Sequence, residues 1–252
     1  MMLGGAVLVG GLMLVLWLLH FPLKNAAVVD VGWTFGLMLL ALYYAWKGTG
    51  WPVRSWLCAA MVCLWALRLG GHLFLTRVWG AEEEGRYKQL RKDWERNVGL
   101  KFLAFFLAQG LLDVLLSLPF LLICLNPEPR IHALEMAGAA LWLTGLLGEA
   151  TADGQLAAFK REGQSGVCQR GLWSYSRHPN YFFEIVTWVG FGTFALASPH
   201  GWLGMLSPLL IAYFILRVTG IPATEQQALR SKGEAYRRYQ ETTSALIPWF
   251  KK

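Results

Sequence analysis

Long apolar stretches alternate with short polar segments along the whole chain. Stretches that approach the roughly 20 residues needed to cross a bilayer occur at 3–21, 28–46, 52–69, 102–125, 131–150, 182–197 and 202–220. Backbone groups in hydrocarbon are satisfied within a helix, and these stretches lack the polar–apolar alternation of barrel strands. The pattern predicts an all-α, polytopic membrane bundle of about seven transmembrane helices.

The composition favours a membrane protein over a soluble one. Hydrophobic residues make up 55% of the chain and charged residues only 15%, whereas soluble domains have about 25% charged residues. The first apolar stretch has neither the basic segment nor the cleavage site of a secretory signal, so we expect it to be retained. The expected organisation is one transmembrane domain, 1–252, working as a monomer in the bilayer.

The basic residues predict the orientation of the chain. With segment 68–101 in the cytoplasm, all but three of the 23 Lys and Arg residues fall on the cytoplasmic side. Such an excess is the usual sign of cytoplasmic loops. It predicts the N-terminus outside and the C-terminus in the cytoplasm, in what we expect to be a bacterial inner membrane. The net charge of +7 therefore reflects topology, and no nucleic-acid partner is expected.

Four polar segments share the cytoplasmic side in this topology: 22–30, 76–101, 151–181 and 221–252. The outer loops are too short to build a site, so we expect these four segments to form the cofactor-binding face. The cysteines and histidines lack the spacing of a zinc site, and no metal is expected.

The densest group of candidate residues lies between the fifth and sixth apolar stretches. It contains, in order, Arg177, His178, Pro179, Asn180, Tyr181 and Glu184. Its basic side chains can hold phosphate or carboxylate oxygens, and its amide and phenol can add hydrogen bonds beside the positive end of a helix. The alternative is a turn at the membrane surface with interfacial aromatic side chains.

Acidic and basic side chains also lie together at the end of the fifth stretch. Glu149 and Asp153 are four residues apart and share one helix face, where carboxylates can hold ribose hydroxyls. Lys160 and Arg161 follow and can bind phosphates. A solvated helix end with charged side chains reaching toward the headgroups is the alternative.

Asp30 lies among apolar residues just inside the second predicted helix. There a carboxyl group is expected to stay protonated and to donate a hydrogen bond to a substrate carbonyl. Capping of the helix by Asp30 is the alternative. The polar segment after the third stretch adds Arg77, Arg86, Tyr87 and Arg91 as candidates, with a solvated surface helix as the alternative.

The C-terminal segment begins at Arg217 and is amphipathic and basic. It also contains Glu225, Tyr236 and Tyr239. We expect it either to cover a cofactor or to lie on anionic headgroups.

At these residues the sequence resembles the bacterial steroid 5α-reductase-like membrane family, and more loosely the superfamily of sterol reductases and isoprenylcysteine carboxyl methyltransferases. The matching residues are Gly171-Leu172-Trp173, Arg177-His178-Pro179-Asn180-Tyr181, Glu184, Trp188-Val189-Gly190, Tyr236, Tyr239 and Ile247-Pro248. The resemblance implies that NADPH is held on the cytoplasmic side and transfers hydride to the β-carbon of a lipid enone. It also implies nucleotide contacts at Asp153, Lys160, Asn180 and Tyr181, with Arg77 and Glu184 near the cofactor.

The sequence departs from the steroid reductases at two positions. Those enzymes carry a glutamate in the second helix and a tyrosine in the third, which polarise the steroid carbonyl. Here Asp30 is an approximate counterpart of the first, and the second aligns with Phe74, which has no hydroxyl. Reduction of another activated double bond, with Asp30 or a nearby tyrosine as proton donor, therefore stays open.

The leading hypothesis is an NADPH-dependent reductase of a lipid-like substrate, with Asp30 and Tyr87 as catalytic candidates. The cofactor-binding candidates are Arg77, Arg86, Arg91, Asp153, Lys160, Arg177, His178, Asn180, Tyr181, Glu184, Arg217, Glu225, Tyr236 and Tyr239. An S-adenosylmethionine-dependent methyltransferase of the isoprenylcysteine type is the alternative, because it shares the Arg-His-Pro-x-Tyr turn. A non-enzymatic scaffold would leave acids within apolar helices unexplained.

Overall fold

The structure is a computed structural model that describes residues 1–163 and 166–251. Residues 164, 165 and 252 belong to the predicted segments 151–181 and 221–252, and these parts of the prediction lie outside the described residues. Within the described ranges the regular elements are helices, together with one isolated bridge between Ser176 and Ser244. The predicted all-α class is confirmed.

The described chain forms eleven α-helices. They are α1 (Met2–Leu23), α2 (Val28–Lys47), α3 (Pro52–Leu73), α4 (Gly85–Trp94), α5 (Val98–Leu116), α6 (Leu118–Leu125), α7 (Ala133–Arg161), α8 (Pro179–Ala195), α9 (Leu206–Tyr213), α10 (Ile221–Lys232) and α11 (Glu234–Thr242). Short 3₁₀ turns occupy Gly171–Ser174 and Gly201–Met205, and π-helical turns follow α3 at Phe74–Val78 and α9 at Phe214–Val218.

Five helical stretches of the described chain are long and apolar enough to cross a membrane. They are Met2–Leu23, Val28–Lys47, Pro52–Val78, Val98–Leu125 and Gly201–Lys232. The protein is therefore an integral membrane protein. The other two predicted spans, 131–150 and 182–197, are helical within α7 and α8 but are not among these five. The number of seven and the orientation of the termini stay predictions.

The chain divides into two compact units. One comprises Met1–Ile131 with Ser198–Gly201, and the other comprises His132–Ala197 with Trp202–Lys252. The predicted single domain, 1–252, stays a prediction. In the first unit α2 is central and packs against α1, α3, α5 and α6. Its buried side chains, such as Leu37 and Leu40, meet a core that includes Val62 and Trp65 of α3.

In the second unit, α7 and α8 pack closely because both helices carry glycines at their contact. A Cβ added at Gly190 would lie 2.4 Å from the backbone nitrogen of Trp142, and one at Gly138 would lie 2.4 Å from that of Phe194. Membrane helices associate largely through such close backbone packing. The pair holds the start of α8 at a fixed position on α7.

We expect Gly190→Ala to lower the free energy of unfolding by about 1–3 kcal/mol, because the added methyl group meets backbone that cannot rotate away. Gly154→Ala on α7 is the matched control, since a Cβ there meets nothing within 4 Å. Both variants are compared with the native chain by thermal unfolding in detergent. Equal stability of the two variants would contradict the close α7–α8 packing.

Candidate functional site

The first turn of α2 is held by side chains from outside the helix. The backbone N–H of Ala26 donates to Glu83 Oε1 at 2.8 Å, and that of Ala27 donates to Asn25 Oδ1 at 3.0 Å. These bonds satisfy amides that a helix start leaves free. The N-cap residue is Ala27, so Asp30 does not cap the helix and that alternative is wrong. The Asp30 side chain instead binds side chains from the segment that follows α3.

Asp30 is the centre of an ion cluster in the first unit. Its side chain is about 10% exposed and accepts hydrogen bonds from Arg77 Nη1 at 2.9 Å and from Arg86 Nη2. The Tyr87 hydroxyl donates to the other carboxylate oxygen at 2.7 Å. Glu84 adds a second carboxylate, 3.2 Å from Arg77 and 3.3 Å from Arg86. Four predicted site residues thus form one connected cluster, to which Glu84 belongs as well.

The two predicted catalytic residues, Asp30 and Tyr87, are in direct contact. Asp30 faces two guanidinium groups and a phenol, all of which are donors, and this arrangement suits a charged carboxylate. Burial raises the pKa of Tyr87 well above its ordinary value, and the nearby Asp30 charge raises it further. Tyr87 is therefore a neutral phenol. Of the two residues, Tyr87 holds a proton, and its only O–H is donated to the Asp30 carboxylate.

Arg91 lies outside the Asp30 cluster. It forms a two-pronged pair with Glu83, with Nε donating at 2.8 Å and Nη2 donating at 3.0 Å. Its guanidinium also lies over the Phe102 ring, 4.6 Å from the centroid. Two of its donors are therefore committed within the protein, and its predicted contact with a cofactor stays a prediction.

In the second unit, Glu225 of α10 organises the turn that precedes α8. Arg177 Nε donates to Glu225 Oε1 at 2.7 Å, and His178 Nε2 lies 3.3 Å from the same oxygen. The Gln240 amide donates to Oε2 at 2.8 Å. Arg177 Nη1 also donates to the carbonyls of Gln240 and Thr243, at 2.9 and 2.6 Å. Because the Arg177 and Glu225 side chains are only 10% and 15% exposed, this pair fixes the turn to the C-terminal helices.

Both predicted tyrosines of the C-terminal segment join this network. The Tyr236 hydroxyl lies 3.5 Å from Glu225 Oε1, and the Tyr239 hydroxyl donates to the Ser176 carbonyl at 3.0 Å. Burial raises the pKa of each phenol above its ordinary value. They are therefore neutral donors. They hold in place the turn that precedes α8, which comprises residues 171–178 and is called the 171–178 turn below.

A further polar group lies where α8 meets α7. Asn180 Nδ2 is 3.4 Å from Asp153 Oδ1. The other amide atom, Asn180 Oδ1, is buried and has no hydrogen-bond partner within the described part of the chain. The Tyr181 ring stacks on His178 at a centroid distance of 5.3 Å, and its hydroxyl contacts Thr224 at 3.0 Å. Asn180 thus offers an unused acceptor beside a carboxylate.

The structure does not bring every predicted residue into these groups. Glu184 is buried within α8 and accepts a hydrogen bond from Trp188 Nε1 at 2.9 Å. Lys160 and Arg217 are exposed and take part in none of the contacts described above. Their roles in cofactor binding stay predictions.

The sequence pattern did not single out Asp113, which is fully buried in α5. Neither of its carboxyl oxygens has a hydrogen-bond partner among the described residues. A Cβ at Gly36 would lie 2.3 Å from Asp113 Oδ2, so the glycine leaves room for the carboxyl group. An acid in the middle of an apolar span is costly and is itself a signal that could have drawn attention to Asp113. Glu83 and Glu84 carried no such signal, because they lie in a run of mixed charge.

Comparisons with known proteins place the chain in a family. A family model described as "Protein of unknown function (DUF1295)" matches residues 16–243. The 3-oxo-5-alpha-steroid 4-dehydrogenase 1 of Mus musculus is 32% identical over 120 residues, which are 47% of this chain and 43% of that protein. The Bos taurus protein of the same name is 36% identical over 124 residues, which are 48% of this chain and 43% of that protein.

The chain therefore spans less than half the length of the curated relatives that it matches. No solved structure matches it. The family model covers most of the chain, and the relatives bear out the resemblance to the steroid 5α-reductase-like proteins. This chain belongs to the DUF1295 family and is similar to the steroid 5α-reductase-like proteins.

Proposed function

We propose that this protein is a membrane-embedded, NADPH-dependent reductase. It would transfer a hydride to an activated carbon–carbon double bond of a lipid substrate, steroid-like or otherwise. The curated relatives are named as dehydrogenases of 3-oxo-5-alpha-steroids. The observation that carries the proposal is the buried, unpartnered oxygen of Asn180 beside Asp153.

These residues fit a nicotinamide nucleotide. The free Asn180 oxygen can accept a hydrogen bond from a carboxamide or a hydroxyl, and a buried acceptor without a partner is costly until a ligand supplies one. The Asp153 carboxylate can accept hydrogen bonds from ribose hydroxyls, and the exposed Lys160 can bind a phosphate. Arg177 is already satisfied by Glu225 and two carbonyls. We therefore assign to Arg177 the positioning of the turn that carries Asn180.

The reduction adds a hydride to one carbon of the double bond and a proton to the other. When bound, the nucleotide would supply the hydride. The protein must polarise the conjugated carbonyl and deliver the proton. Tyr87 is the proposed donor, because its phenol is neutral; its only O–H is donated to Asp30 in the structure, so proton transfer requires the hydroxyl to turn from Asp30 to the substrate. Arg86, whose guanidinium lies over the Tyr87 ring at 4.6 Å, would stabilise the negative charge left on the phenol oxygen.

Asn180→Ala is expected to weaken NADPH binding about fivefold to tenfold, the effect of one lost hydrogen bond. Thermal unfolding of the full chain in detergent measures this, because stabilisation grows with ligand concentration relative to the dissociation constant. NADPH, NADH and S-adenosylmethionine are added separately. Gln227→Ala removes an exposed amide of α10 and serves as the control that keeps native affinity.

Two outcomes would reject the reductase. One is the absence of any NADPH-dependent stabilisation of the native chain. The other is stabilisation by S-adenosylmethionine alone, which would favour methyl transfer. With binding established, NADPH oxidation is followed optically with steroid and non-steroid enones, and the products are checked for the saturated bond. That comparison identifies the substrate class.

A further inference from the structure

A cavity of about 330 Å³ opens beside the end of α1. It is lined by His20, Phe21, Lys24, Glu83 and Arg91. The Arg91–Glu83 pair is neutral as a unit, whereas Lys24 is exposed and has no ion-pair partner within the described residues. The cavity therefore has a net positive charge and suits an anion.

The walls of the cavity hold hydrogen-bonding atoms that the protein does not use. Arg91 bonds Glu83 through Nε and Nη2, so Nη1 is free for a ligand. His20 is fully buried at the inner wall, and its Nδ1 contacts the Trp17 carbonyl, which requires the hydrogen to be on Nδ1. Its Nε2 has no partner in the described chain. With the hydrogen on Nδ1, Nε2 is an acceptor, and a hydroxyl group of a lipid headgroup would satisfy it.

The position of the cavity indicates where the anion comes from. Helix α1 has 22 residues, which at 1.5 Å per residue extend about 33 Å, close to the roughly 30 Å hydrocarbon core of a bilayer. Lys24 at its end therefore lies at the level of lipid headgroups. The outer face of α1 is apolar, with Leu14 43% and Leu18 58% exposed. An acyl chain can lie along this face while its headgroup reaches the cavity.

We propose that this cavity binds the phosphate group of an anionic membrane phospholipid. Lys24 and Arg91 contact the phosphate oxygens, with His20 behind them. Glu83 stays bonded to Arg91 and to the Ala26 amide, so the bound lipid lies against the turn that starts α2. The proposal rests on His20, Lys24 and Arg91 and does not depend on the reductase assignment.

The test is thermal unfolding of the full chain in detergent with phosphatidylglycerol, phosphatidylcholine or inorganic phosphate added. Phosphatidylglycerol is expected to stabilise the native chain with a saturable dependence, and phosphatidylcholine much less. Lys24→Asn should weaken the phosphatidylglycerol effect about fivefold, which is the effect of one lysine near an anionic surface. Asparagine tolerates the left-handed backbone of Lys24, whose φ is 49°.

Lys24→Arg keeps the charge and should keep the effect. Lys47→Asn is the matched control, because Lys47 is an exposed lysine at the end of α2. His20→Phe keeps an aromatic ring but removes the Nε2 acceptor, and gives a second comparison if Lys24→Asn does not fold. A weaker effect in Lys24→Asn or His20→Phe, with retention in Lys47→Asn, supports the site.

Three results would overturn it. Native and Lys24→Asn chains could respond equally to phosphatidylglycerol. Inorganic phosphate could saturate the effect at the same concentration, which would show a site for free anions. NADPH could displace the lipid, which would assign the cavity to the nucleotide.

Discussion

Glu225→Ala is expected to lower the free energy of unfolding by about 3 kcal/mol, which is the usual loss when one partner of a buried ion pair is removed. Arg177 would keep its carbonyl contacts but lose its counter-charge in a site where its side chain is 10% exposed. His178 and Gln240 would lose the same acceptor. Thermal and denaturant unfolding in detergent, followed by tryptophan fluorescence, measure the change.

Two further variants show how much of this stability loss is due to the charge of Glu225. Glu225→Gln keeps an oxygen that accepts hydrogen bonds but removes the charge, so we expect about half of the loss. Glu241→Ala removes an exposed acid of α11 and should change stability by less than about 0.5 kcal/mol. If Glu225→Ala were as stable as Glu241→Ala, the 171–178 turn would not depend on Glu225.

Tyr87→Phe is expected to lower kcat for NADPH-dependent reduction at least about 100-fold, in the range of a lost general acid. The stability loss should be only about 1 kcal/mol, because one hydrogen bond is removed while the ring stays packed. Asp30→Asn should also lower kcat, and it should lower stability by about 2 kcal/mol because Arg77 and Arg86 lose their counter-charge. This figure is below that for a fully buried pair, since both arginines are about one-third exposed.

Steady-state kinetics and unfolding are measured on the same preparations. Tyr213→Phe, at a side chain that is exposed, is the control and should leave both quantities unchanged. A Tyr87→Phe variant with native kcat would remove Tyr87 from catalysis. A Tyr87→Phe variant that unfolds as readily as Asp30→Asn would mean that the hydroxyl has a structural role.

The helices could be predicted where the cause is local. A segment that crosses a bilayer has to satisfy its backbone hydrogen bonds internally. The bounds of an apolar stretch therefore predict the bounds of the helix closely. The stretch 28–46 became Val28–Lys47, and 3–21 became Met2–Leu23. The prediction fails where helices leave the apolar region, because α7 continues beyond 150 to Arg161 through polar residues. It also missed the interruption of 102–125 at Ser117, ahead of Pro119.

The residue types of the site could be predicted from the sequence, but the contacts between those residues could not. A buried acid such as Asp30 stands out in an apolar stretch, but its contact with Tyr87 joins residues 57 positions apart. That contact depends on how the loop after α3 folds back, which no local pattern encodes. From the sequence, Glu225 was a candidate only as one polar residue of the C-terminal segment. Its central role arises because the chain places it against Arg177, 48 positions earlier.

The π-helical turn after α3 sets the direction of Arg77 independently of the buried face of α3. Its closing bond joins the Trp79 N–H to the Phe74 carbonyl at 2.8 Å, one residue more than an α-helical turn. Loss of that residue would restore an ordinary turn and rotate the downstream residues by about 100°. The buried face of α3 would be unchanged, while Arg77 would be re-aimed. A single-codon deletion or insertion here can therefore alter the site while leaving the buried face of α3 in place.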